Sequence, residues 1–85
     1  MQFDVPGWLA SVVGCQRDDL VFHSEREVDG SLVVTYSRGG EPFATVSLAA
    51  MPLSDARRAS WQVAARIGER LEQVQVPAKT RFVWR

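Results

Sequence analysis

The chain has 85 residues, 46% hydrophobic and 24% charged, with ten basic and ten acidic side chains that cancel. That composition belongs to a folded chain and predicts a single small α+β domain over residues 1–85. The zero net charge gives no global field toward nucleic acid or a membrane surface. One cysteine, Cys15, and one histidine, His23, leave no intramolecular disulfide and too few ligands for the usual zinc sites. Residues Met1 to Val5 lack a basic stretch leading into a long apolar run, and no segment reaches transmembrane length. The expected compartment is the cytoplasm. A chain this short buries only about 60–65% of the surface it exposes when unfolded, so it gains from association.

Asp4-Val5-Pro6-Gly7 offers a helix cap followed by a proline suited to a first turn. Val5, Leu9, Val12 and Val13 then form a short apolar stripe, which predicts a helix over Pro6–Cys15. Leu20–Val28 reads as a strand, and Asp29-Gly30 as a hairpin turn. A three-residue loop that includes Ser31 aligns Leu20, Phe22 and Val28 with Leu32, Val34 and Tyr36. A two-residue loop would instead align His23, Glu25 and Glu27 with them. Since a one-residue slip turns a whole strand over, the longer loop is the expectation. It gathers His23, Glu25, Glu27, Val33, Thr35 and Ser37 on the outer face and turns Arg26 inward. Gly39-Gly40 marks the next turn, where a three-residue loop from Gly39 to Glu41 is expected to place Ala44, Val46 and Leu48 inside, opposite Tyr36, Val34 and Leu32. The third strand is expected over Phe43–Ala50.

The segment Ser54–Val74 follows Pro52 and shows Val63, Ile67, Leu71 and Val74 at helical spacing beside a row of small residues, Ala56, Ser60, Ala64 and Gly68. It predicts a long helix lying close on a sheet. Val76-Pro77-Ala78 breaks it, and Thr80–Trp84 reads as a last strand. The predicted fold is therefore α+β in the order α-β-β-β-α-β, an antiparallel meander with two helices packed on one face.

No catalytic set emerges. Cys15 and His23 fall on different elements facing different ways, and the strand bearing His23, Glu25 and Glu27 offers a flat face rather than a cleft. No enzyme activity, cofactor or metal is expected. Three tryptophans in 85 residues is a surplus. On the predicted helix Trp61 lies beside Arg57, and tryptophan and arginine dominate protein-binding hot spots. Trp61, Arg57, Trp84 and Arg58 are thus the expected contacts of a non-catalytic interaction domain that binds another protein or itself as a homodimer.

The predicted order α-β-β-β-α, with Arg57-Arg58 opening the second helix and Ser60, Ala64 and Ala65 following, resembles the double-stranded-RNA-binding domain in topology. That resemblance covers most of the element order but few residues. It implies phosphate contact by Arg57 and Arg58. Nucleic-acid binding through these two and Arg66, with the C-terminal strand assisting, is the alternative function. Lys79, Arg81 and Arg85, interleaved with Phe82 and Trp84, would suit either single-stranded nucleic acid or a charge-guarded edge strand. The zero net charge disfavours the nucleic-acid reading.

Overall fold

The computed structural model describes residues 1–51 and 60–85. Its elements in chain order are β1 (Gln2–Asp4), α1 (Val5–Val13), a 3-10 turn at Arg17–Asp19, β2 (Val21–Val28), β3 (Ser31–Arg38), β4 (Glu41–Met51), β5 (Ser60–Ile67), β6 (Arg70–Pro77) and β7 (Arg81–Val83). Strands β2 to β6 form an antiparallel meander in sequence order, and β1 pairs with β7 in a separate parallel ladder. The fold is α+β, with one helix among the described residues rather than two.

The largest correction falls on the predicted long helix. Ser60–Val74 belongs to two strands, β5 and β6, while Ser54–Ala59 lies outside the described residues. The sequence fits both periods. Val63, Ile67, Leu71 and Val74 are helically spaced, but Trp61, Val63, Ala65 and Ile67 also alternate, as do Val74 and Val76. Gly68 decides between them: at the first position of the β5–β6 turn it takes a φ of 62°, as a type II′ hairpin turn requires. In mid-helix the same glycine would cost about 1 kcal/mol relative to alanine.

The first helix does form, and ends at Gly14, which adopts a left-handed φ of 85° and donates its N–H to the Ala10 carbonyl. Gly7 serves a different purpose and leaves room for a neighbouring side chain. A β-carbon there would sit on the Asp4 carboxylate.

Both hairpin registers combine a two-residue turn with a bulge. Asp29 and Gly30 both take positive φ, 50° and 81°, and Val28 pairs directly with Ser31. Glu27 therefore faces Leu32, and Glu25 faces Val34, on the inner side. His23 is then an extra residue that returns Phe22 to the face of Tyr36. The expected three-residue loop, the outward His23-Glu25-Glu27 row and the inward Arg26 are thus overturned: Arg26 pairs with Val33 and points out. At the next hairpin Arg38 pairs with Glu41 across Gly39-Gly40, and a bulge at Phe43 restores the expected pairs Tyr36–Ala44, Val34–Val46 and Leu32–Leu48. Pro42, which cannot donate to a ladder, sits at that irregularity.

The inner face of the sheet is covered by α1 and the β1–β7 ladder. Val5, Leu9 and Ala10 of the helix share a core with Val34, Tyr36, Val46, Val63, Ala65 and Val76. A relay of rings, Trp8 to Phe3 to Phe82 to Trp84, lines the second layer at centroid separations of 5.8 to 6.1 Å. Pairing of the two chain ends was not legible, because three-residue strands carry too little periodicity. Among the described residues no helix is long and apolar enough to cross a membrane.

Candidate protein interface

The expected anchors are largely committed to the fold. Trp61 sits near the start of β5, half-buried against the core, and its indole N–H donates to the Ala78 carbonyl at 3.2 Å. Trp84 stacks on Phe82, and its carbonyl accepts the Tyr36 hydroxyl at 2.6 Å. The two are not neighbours. Trp61 pairs with Ala50, whereas Tyr36 pairs with Ala44, six positions along β4 and about 20 Å away at 3.3 Å per residue. Arg57 and Arg58 lie outside the described residues. The element order is also not that of the double-stranded-RNA-binding domain, since the residues matched to its second helix after position 59 form a strand.

At the Tyr36 end, an open pocket of about 370 Å³ is lined by Pro6, Arg17, Leu20, Phe22, Trp84 and Arg85, among others. Its groups hold one another. Arg17 bonds both Asp4 oxygens, at 2.8 and 3.0 Å, and the Arg85 main-chain oxygen at 2.8 Å. The guanidinium of Arg17 keeps the Asp4 carboxyl below its ordinary range, against the opposing effect of burial and with lesser help from the Gly7 N–H. Arg85 lies over the Phe22 ring at 4.3 Å. Tyr36 is completely buried, and burial pushes its phenol above the ordinary value of 10.0. These contacts join the chain ends to β2 and leave little to recognise a ligand.

The outer face of the sheet is different. Alternation sends Thr45 and Ser47 of β4, Gln62, Ala64 and Arg66 of β5, and Leu71, Gln73 and Gln75 of β6 outward. Thr45, Ser47, Ala64, Arg66, Leu71 and Gln73 line a shallow depression of about 380 Å³. Leu71 is 47% exposed there. Gln62 donates to the Gln73 side-chain oxygen at 2.8 Å, which fixes the amide row. Among the described outward positions of β2 to β6 there is no carboxylate, and the charges are Arg26 and Arg66. The acidic Glu25, Glu27 and Glu72 point to the other side. Neutral composition therefore conceals sorted charge. Sequence reading missed this face because it assigned β5 and β6 to a helix; the signal available was the alternation Gln62, Ala64, Arg66 and Gln73, Gln75.

Among the described residues the sheet has two edge strands paired on one side only, β2 and β6. Among the described residues no three His, Cys, Asp or Glu side chains gather as metal ligands would. Comparison with protein-family models, with curated proteins and with solved structures found no match to this chain.

Proposed function

We propose that this chain is a non-catalytic protein-binding domain that docks its partner on the outer face of β4, β5 and β6. The observation that carries the reading is the sorted charge of that face: small uncharged side chains, Arg66, and no carboxylate among its described positions. Protein interfaces enrich arginine and deplete acids at their centres, and the exposed Leu71 adds apolar area beside Arg66. The matching partner surface carries a carboxylate to meet Arg66 beside an apolar side chain to meet Leu71. Nucleic acid is the weaker reading, because ten basic and ten acidic side chains cancel and the outward positions of β5 and β6 hold no aromatic ring on which a base could stack.

The test is capture of partners from native lysate on the tagged chain, with and without nuclease, beside the Arg66→Glu variant. A stoichiometric protein that survives nuclease and binds the variant about tenfold or more weakly supports the reading. Equal capture by Arg66→Glu, or loss of bound material on nuclease treatment, overturns it.

A further inference from the structure

We infer that two copies of this chain associate through β6, antiparallel, extending the meander into one continuous sheet. This rests on the reading of the sheet as a protein-binding surface and names its second copy as one occupant. The argument begins at the β5–β6 turn. Ile67 and Arg70 close a two-residue hairpin, so they exchange hydrogen bonds, and so does every second pair after them: Ala65 with Glu72, Val63 with Val74, Trp61 with Val76. Leu71, Gln73 and Gln75 consequently turn their main-chain N–H and C=O groups away from β5, along the open edge. Pro77 comes next in that row and has no N–H to present; it ends the edge.

The edge is self-complementary about Val74. Centred there, Gln73 meets Gln75 of the second copy and the reverse, giving four main-chain hydrogen bonds. Val74 meets its own copy on the inner side, and exposed Leu71 meets Pro77 on the outer side. Centring one residue earlier, on Gln73, would bring the two Glu72 carboxylates into diagonal reach, a like-charge contact that this register avoids. Glu72 is meanwhile held by Arg70 at 2.8 Å on its own strand.

Sedimentation of the isolated chain tests this without the unidentified partner. The expected result is a species of about twice 9.5 kDa at high concentration that dissociates on dilution. In a Cys15→Ser background, Val74→Cys chains should oxidise to a disulfide dimer, since facing residues of a non-hydrogen-bonded pair have α-carbons about 4.5 Å apart. Leu71→Cys chains should not, because the two positions lie about 20 Å apart in this register. A single 9.5 kDa species at all concentrations, or equal cross-linking at positions 71 and 74, overturns the inference. Arg66 lies on β5, inside the edge, so Arg66-dependent capture by a monomer would sink this inference while sparing the proposed function. A dimer that captures nothing would do the reverse.

Discussion

The two edges of the sheet are built on opposite plans. Strand β2 turns the main-chain groups of Glu25 and Glu27 outward, but both carboxylates lean over the inner side, Arg26 stands between them, and His23 makes a bulge. Inward-leaning charges and bulges are how edge strands are kept from pairing with another chain. Strand β6 has no bulge, and its centre is Gln73-Val74-Gln75-Val76. Its charges, Arg70 and Glu72, bond each other near one end. An edge guarded on one side of a sheet and left plain on the other has a direction. Association at β6 can be used because β2 prevents it from continuing into a fibre.

The comparison can be broken most severely by removing the guard from β2. Deleting His23 would leave Phe22 opposite Tyr36 and Ser24 opposite Thr35, so the fold is retained while the edge becomes regular. With Glu25→Thr and Glu27→Thr added, open-ended association should set in at concentrations at least about tenfold lower than for the parent, read by light scattering. A triple variant as soluble as the parent would mean that the charges do not guard this edge.

A smaller effect is expected where β3 is anchored to Trp84. Tyr36→Phe removes the hydrogen bond to the Trp84 carbonyl and should cost about 1–2 kcal/mol in chemical denaturation. Tyr36 is the chain's one tyrosine, so phenolate absorbance reports it alone. Its folded pKa is raised, so its contribution is present below the ordinary value of 10.0 and is lost as pH climbs from there toward the folded value. A phenol that ionises at its ordinary pKa while the chain stays folded would contradict the burial described.

The smallest effect belongs to the exposed clasp beside it. Arg17→Ala should cost up to about 1 kcal/mol, less in high salt, because both partners are about two-fifths exposed. Asp4 has a lowered folded pKa. Its contribution is therefore present above the ordinary carboxyl value of 3.8 and disappears as pH falls through the folded one. Wild type and variant should converge in stability at low pH. A difference that persists undiminished into acid would assign the effect to packing rather than charge.

Much of the β2–β4 half was legible because its punctuation is explicit. Asp29-Gly30 and Gly39-Gly40 announced turns, and the inner pairs of β3 and β4 followed from alternation. The bulges were not legible. Alternation argued for longer loops, while the chain keeps two-residue turns and absorbs the extra residue at His23 and Phe43. Strands β5 and β6 were misread because Val63, Ile67, Leu71 and Val74 satisfy a helical stripe that tertiary pairing overrides. With them went the outer face, whose small polar residues resembled the solvent side of a helix. The tryptophan surplus pointed to a binding site, whereas Trp8 and Trp84 pack in the second layer and Trp61 is half-buried against the core from β5.

The central claim is that β6 is a regular edge strand with alternate main-chain groups free. Amide hydrogen exchange, followed residue by residue in dilute protein, tests it most directly. Glu72, Val74 and Val76 should be protected, and Leu71, Gln73 and Gln75 should exchange fast, gaining protection as concentration rises. Protection running unbroken from Ser60 to Val74 would restore the helix, and the reversed alternation would turn the edge inward; either would contradict the account.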